Sequence, residues 1–521
     1  MLIDISKYME KTANEKLKNI KKDIFESINS GLLSIDPFFC VNKINIENQF
    51  FKITDFENIY LIAFGKAALK MSLAIINKIK IREGIISSNE EVVPLQDKFK
   101  KFISEYNYIK EVVNSNTFKE TNLNFIENIK FNIDLIMDNL KNITYIKAGH
   151  PLPDEKSIFA GNKIIEIAQK AKENDLVFIL ISGGGSALVE NPLIPFETLK
   201  SLTSELLKKG ANITELNTIR KHLSKIKGGN LAKTCKGKII SFILSDVAGD
   251  PIDVIASGPT YYDNSSFFDA LNIMKKYDLA AKFDQVRKIF EDGIDGKIPD
   301  TLKEKEYFEL ESKGKIYNNL VGSNYICCKS IINYLIEKNY NTIYLGSLVE
   351  GNAEDVAKVF SGYFKSIIKG QFGIMKSCME FPIAFVWGGE TTVVVKGNGK
   401  GGRNQHFVLS FLNNIKNIKE ILFENHFKQD KYENTGIKSN NKYLFTICSF
   451  GTDGIDGVSI AAGAIANNET VDFIVKNNID LNNILSNSDS YSFFEKLGDA
   501  IITGPTGTNV TDIGILLIDK N

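Results

Sequence analysis

Neither sign of charge dominates this chain: 63 lysines and arginines face 63 aspartates and glutamates, a formal net charge of zero over 521 residues. Such a balance offers no long-range field to nucleic acid or to an anionic membrane surface, so neither partner is expected. Long apolar runs are also missing. No stretch reaches the length that spans a bilayer, and the segment Met1 to Lys7 lacks the apolar core of a signal peptide. The six cysteines (Cys40, Cys235, Cys327, Cys328, Cys378 and Cys448) show no C-x-x-C spacing. Cys327 and Cys328 are adjacent, so the pattern supports neither a disulfide framework nor a zinc site, and a reducing, cytoplasmic setting is expected. No G-x-x-x-x-G-K-[ST] occurs, which argues against a P-loop kinase. Histidines number four. Of these, His150 and His222 are placed to touch a substrate, with a structural hydrogen bond as the simpler role for each.

What the chain does have is a repeated plan in which an apolar run of strand length empties into glycines and hydroxyls. Leu176 to Ile181 runs into Ser182, Gly183, Gly184, Gly185 and Ser186. That reads as a buried parallel strand opening into a loop and helix, where backbone N–H groups can approach an anion closely. Ile59 to Phe64 leads into Gly65-Lys66, and Ile239 to Leu244 leads into Ser245-Asp246 and on to Gly249-Asp250. In the second half, Ile383 to Trp387 precedes Gly388-Gly389-Glu390, and Leu444 to Cys448 precedes Gly451, Asp453 and Asp456. Ligands of open α/β sheets bind outside the carboxyl ends of strands, so the plan predicts a polyanionic ligand over these loops.

The charged residues among the glycines refine that expectation. Lys66 would sit near a helix amino end, an unfavourable place for a cation unless an anion shares it. Arg403, just after Gly397-Asn-Gly-Lys-Gly-Gly402, would offer a planar fork to a carboxylate or phosphate, with Lys400 adding charge in the same loop. Asp246, Asp250, Asp453 and Asp456 at strand exits suit a Mg²⁺ ligand or a hydroxyl-proton acceptor, and equally a turn or helix cap. Gly397-x-Gly399-x-x-Gly402 formally matches a dinucleotide fingerprint after an expected strand from Thr391 to Lys396, which keeps a nicotinamide-dependent hydroxypyruvate reductase as an alternative.

Strand and helix alternate from about Ile59, after an amphipathic helix over residues 15–35. Residues 87–140, dense in Lys, Asn and Glu, read as an inserted peripheral segment, and 424–441 as a second polar interruption. A domain boundary is expected near Lys313, with residues 1–313 forming one domain and 314–521 the other.

The motifs Gly65-Lys-Ala-Ala68, Gly149-His-Pro-Leu-Pro-Asp-Glu155, the Ser182 to Ser186 loop, Arg220 to Ser224 with Lys227-Gly-Gly229, Ser245 to Asp250, Gly401-Gly-Arg-Asn-Gln405, Gly451-Thr-Asp-Gly454 and Gly504 to Asn509 together resemble the glycerate 2-kinase family, whose carboxyl-terminal part is the MOFRL domain. The resemblance spans about Phe25 to Ile518. It implies an α/β protein of two domains, a Rossmann-like amino-terminal domain and a smaller α/β carboxyl-terminal domain across a cleft. It further implies ATP-dependent phosphorylation of the 2-hydroxyl of D-glycerate, with Lys66 and Arg403 as catalytic residues. Three assignments are chemical inference: phosphate or substrate to Ser182, Gly183, Gly184, Gly185, Ser186, His150, Gly389 and Lys400; Mg²⁺ to Asp246 and Asp250; and a catalytic role to Asp453. A homodimer is compatible with all of this. The chain departs from the family pattern at His406, Pro251 and Ile460, each in place of a usual acidic residue, which puts metal affinity or substrate choice in question. A kinase for another small 2-hydroxy acid and a non-catalytic binding protein are the remaining rivals.

Overall fold

The computed structural model describes residues 2–44, 46, 51–91, 94–112, 126–371, 380–418 and 443–521. The chain divides into two compact units. One joins Pro37–Glu111 to Asn128–Gly322; the other joins the residues up to Asp36 to Ser323–Asn521.

The first unit is built on six parallel strands: β1 (Ile59–Phe64), β2 (Glu83–Ser88), β3 (Ile143–Lys147), β4 (Leu176–Ile181), β5 (Lys238–Leu244) and β6 (Ile316–Gly322), in the order β3-β2-β1-β4-β5-β6. This is the Rossmann-like order. The central strands β1 and β4 are buried along their whole length, as continuous apolar runs covered on both faces require. One face packs against the helix Glu155–Lys170 in a core that includes Ile62, Ile164, Ile179 and Ile243. A separate helical core gathers Leu202, Leu206, Met274 and Phe290.

Two expectations are corrected here. The segment 87–140 is not simply an insertion, because Ser87 and Ser88 belong to β2 and the helices Leu95–Val112 and Ile133–Leu140 flank its middle. Asn139 in the second helix accepts the Ile81 amide at 2.8 Å, which ties the segment to the start of β2. The boundary also shifts: β6 hydrogen-bonds to β5 and so belongs to the first sheet, and the chain changes unit after Gly322. The segment 424–441 lies outside the described residues.

The second unit carries β7 (Asn341–Tyr344), β8 (Val349–Asn352), β9 (Ile383–Thr392), β10 (Tyr443–Gly451), β11 (Gly463–Asn467), β12 (Ala500–Ile501) and β13 (Asp512–Lys520), ordered β12-β11-β10-β13-β9-β7 with β8 also on β9. This sheet is mixed. β13 runs antiparallel to both β9 and β10, so those two run the same way on either side of it and end at one edge. Helices Ala353–Ile368 and Arg403–Ile415 cover a core of Phe360, Phe364, Trp387, Phe411 and Phe445. The helix Glu15–Ser34, capped by the Asn14 side chain, packs on Asn324–Glu337.

The glycines of Gly388-Gly389 are not a strand exit, as the sequence suggests. β9 continues through them to Thr392, pairing Gly388 with Ile513 and Gly389 with Asp512, while residues 393–396 are not strand. β10 likewise runs on to Gly451.

Candidate functional site

At the centre of the first sheet the chain leaves β1 toward β2 and leaves the neighbouring β4 toward β5, so the loops beyond these two strands diverge and open a crevice. Lys66 and the Ser182 to Ser186 loop stand at that point. They are bonded to each other: the Lys66 amide donates to Gly183 O at 2.9 Å, and the Ala67 amide donates to Ser182 Oγ at 3.0 Å. Gly184 has φ +78, a conformation costly for a residue with a Cβ, and turns the chain into the short helix Gly185–Leu188. A Cβ on Gly184 would lie 2.9 Å from His150 Nε2 and 3.4 Å from Lys66 Cε. One on Gly183 would lie 2.0 Å from Asp246 Oδ2. The structure therefore brings Lys66, His150, Asp246 and the glycine loop together.

The electrostatics suit an anion. Lys66 is exposed, and among the described residues no carboxylate lies within ion-pair distance of its ammonium. Burial, and then the charge of Lys66, hold His150 below the usual histidine value, so its imidazole stays neutral at neutral pH. His150 is placed by its chain neighbours: Asp154 caps the helix that follows, accepting the Ser157 amide at 2.9 Å.

Behind the loop is a buried ion cluster that the sequence did not announce. Glu190, only 1% exposed, receives Lys227 Nζ at 2.5 Å and Arg220 Nη2 at 2.8 Å. The same Arg220 Nη2 donates to Ser186 O at 2.9 Å. Burial alone would raise the Glu190 carboxyl, but Lys227 and Arg220 hold it below its ordinary value. Arg220 and Lys227 stand among the motif residues of the sequence, whereas nothing in the sequence singles out Glu190. His222 serves this part of the fold structurally, its Nδ1 on Thr218 O and its Nε2 3.1 Å from Asp300.

In the second unit, a cavity of about 910 Å³ is lined by Arg403, Glu390, Asp453, Asp456, Glu350 and Val395, among others. Asp456 is a cap. Its buried carboxylate accepts the Asn404 and Gln405 amides at 3.0 and 2.9 Å, satisfying the first turn of the helix Arg403–Ile415. Asp453 Oδ1 accepts the Ile455 amide at 3.0 Å, an Asx turn on the cavity wall. Arg403 does not present an empty fork. Its Nε and Nη2 reach Asp512 at 2.5 and 2.9 Å, and Nη1 reaches Glu390 at 2.8 Å.

Two expected ligand contacts are displaced. Gly389 lies inside β9, where a Cβ would stand 2.1 Å from Val349 O, so its role is to let β8 approach. Lys400 is exposed beside a different cavity with Asp489, Tyr491 and Glu495, and its amide donates to Asp489 at 3.0 Å. The dinucleotide reading also fails on geometry. A Cβ on Gly397 or Gly399 would strike Asn487 or Asp489, so these glycines make room for protein, and β9 and β10 are separated by β13 and do not form a βαβ pair. His406 is spent on Glu354, at 3.0 Å.

Among the described residues no three His, Cys, Asp or Glu side chains converge as a ready-made metal site. Asp246 lies against Gly183 of the glycine loop, and Asp250, at φ +56, follows in the same loop as Asp246. One or two carboxylates are what a Mg²⁺ ion shared with phosphates requires.

Two family matches lie along the chain. Residues 23–291 match a family described as Domain of unknown function (DUF4147), and residues 383–512 match the MOFRL family. The chain is 35% identical over 503 residues to the glycerate 2-kinase of Pyrococcus horikoshii, covering 94% of this chain and 96% of that one. It is 36% identical over 375 residues to the D-glycerate 2-kinase of Thermotoga maritima, covering 71% and 79%. A solved glycerate kinase structure from Thermotoga maritima superposes with a TM-score of 0.71 at 30% identity, covering 96% of this chain and all of that one.

Proposed function

The chain belongs to the glycerate 2-kinase family, and from that premise we propose that it transfers the γ-phosphoryl group of ATP to the 2-hydroxyl of D-glycerate, giving 2-phosphoglycerate and ADP. The observation that carries this reading is Lys66: an exposed ammonium without a carboxylate partner among the described residues, bonded through its backbone to a glycine loop at the switch point of a parallel sheet. A cation so placed has no structural task and suits a phosphate.

Phosphoryl transfer needs little covalent help from the protein, so the residues act by positioning and by neutralising charge. The backbone of Gly183 to Ser186 is assigned to hold phosphate oxygens, and Lys66 to balance the charge that gathers on the transferred group. The neutral imidazole of His150 offers a hydrogen bond there without adding charge. Asp246, with Asp250, would hold Mg²⁺, which would supply positive charge to neutralise the phosphates. In the other unit we assign Arg403 to an anionic group of a substrate, and Asp453 to orienting a hydroxyl or an ion.

The five described cysteines are free thiols, which suits the cytoplasmic setting we propose, and no described helix is long and apolar enough to cross a membrane. The test is direct. The protein is incubated with ATP, Mg²⁺ and D-glycerate, and the product is identified by ³¹P NMR. 2-Phosphoglycerate is expected; 3-phosphoglycerate would overturn the regiochemistry. Comparing kcat/KM with lactate and other 2-hydroxy acids tests the substrate.

A further inference from the structure

Arginine is a long side chain with many rotamers, and it clamps an anion well only when one edge of its guanidinium is held while another is free. Arg403 meets that condition through two unequal carboxylates. Asp512, whose side chain is 9% exposed, takes the Nε–Nη2 edge with both oxygens; Glu390, 49% exposed, touches Nη1 alone. The first is a buried, bidentate pairing, whereas an exposed single contact contributes little and is readily exchanged.

The sheet is shaped for the first pairing. Asp512 opens β13, and its cross-strand partners on both sides are glycines, Gly389 on β9 and Gly451 on β10. Neither directly paired residue therefore carries a side chain beside Asp512, and a Cβ on Gly451 would stand 3.4 Å from Asp512 Oδ1. The other end of Arg403 is fixed as well, because Asp456 caps its helix through Asn404 and Gln405.

Resting on the reading of Arg403 as catalytic, we propose that Asp512 is a positioning residue, which holds the Nε–Nη2 edge of Arg403 so that Nη1 faces the cavity and a substrate anion takes the place of Glu390 there. Asp512 touches no substrate and acts only through Arg403.

Steady-state kinetics of the full-length protein with Asp512→Asn, Arg403→Lys and the double substitution test this. They are paired with the arginine Nε–H NMR signal of Arg403 in selectively labelled protein. Arg403→Lys is expected to lower kcat/KM about a hundredfold, because lysine has no fork. Asp512→Asn should lower it at least about tenfold, but by less than about twofold when added to Arg403→Lys. The exchange-protected Nε–H signal of the wild type should be lost in Asp512→Asn. Multiplicative effects in the double variant, or an Nε–H signal that survives the Asn substitution, overturn the proposal. So does wild-type turnover by Asp512→Asn while Arg403→Lys is impaired. If Arg403→Lys itself turns over normally, the functional reading of Arg403 fails first and this inference falls with it, a result distinguishable from the others.

Discussion

The amide of Ala67 donates to the hydroxyl of Ser182 at 3.0 Å, which joins the loop after β1 to the loop after β4 through a side chain only 1% exposed. Ser182→Ala removes the acceptor and leaves a buried amide unsatisfied, at a cost of about 1–3 kcal/mol. In a chain of this size we expect Tm to fall by several degrees, and KM for ATP to rise because the Lys66 backbone is no longer anchored on that side. Differential scanning calorimetry and initial-rate kinetics check both.

Lys66→Met should separate function from folding. The ammonium is exposed and makes no ion pair with a described carboxylate, so Tm should change little, in line with the roughly ±0.5 kcal/mol of ordinary surface substitutions. Turnover should fall by at least about a hundredfold, the loss of one charge stabiliser in a phosphoryl transfer. A well-folded Met variant with near-normal kcat would remove Lys66 from the reaction.

Asp453→Asn keeps an acceptor for the Ile455 amide and so keeps the turn, while removing a charge from the cavity wall. Activity should drop much more than thermal stability, and the dependence on Mg²⁺ concentration should change. Lower Tm with full kcat and an unchanged Mg²⁺ requirement would make the residue a turn-former and leave any metal role to Asp246 and Asp250.

Burial pushes the Asp512 carboxyl up to about 6, against the pull of Arg403 and a hydrogen bond from Asn404 and with the repulsion of Asp456. As pH falls through that value the carboxyl protonates and the fork of Arg403 loses its charged partner, so kcat/KM should decline below about pH 6. Stability runs the other way for this group. Its folded value lies above the unfolded aspartate value of about 3.9, so its stabilising contribution is complete below that value. That contribution is lost as pH rises through about 6. Rate profiles and melting curves from pH 4 to 8 should show the two trends diverging. Asp512→Asn should abolish the acid limb, and His150→Asn should keep it.

How much of this was legible depends on where the information lies. β1, β4 and β5 could be read because strands buried on both faces are written as near-continuous apolar runs, broken within β5 only at Ser241. β2, with the sequence EGIISS, and β8, with VEGN, carry no such signature and take their form from neighbours already in place. Gly388-Gly389 imitated a strand exit because glycine marks both turns and close approach, and only the pairing with β13 and β8 tells them apart. The same ambiguity covers Asp456, a carboxylate in the expected place with the work of a helix cap. Asp512 was invisible: its partner is 109 residues away in sequence, and nothing local distinguishes it from any aspartate opening a strand.

Two carboxylates already cancel the charge of Arg403 before any substrate arrives. A bare guanidinium in an open cavity would be filled by whatever small anion the surroundings supply in greatest amount, inorganic phosphate included. Here each such anion must first displace Glu390, and one that matches the remaining edge poorly recovers less than it costs. On the proposed role of Arg403, the resident pairing would trade affinity for discrimination, disfavouring simple anions relative to a ligand that satisfies several contacts at once.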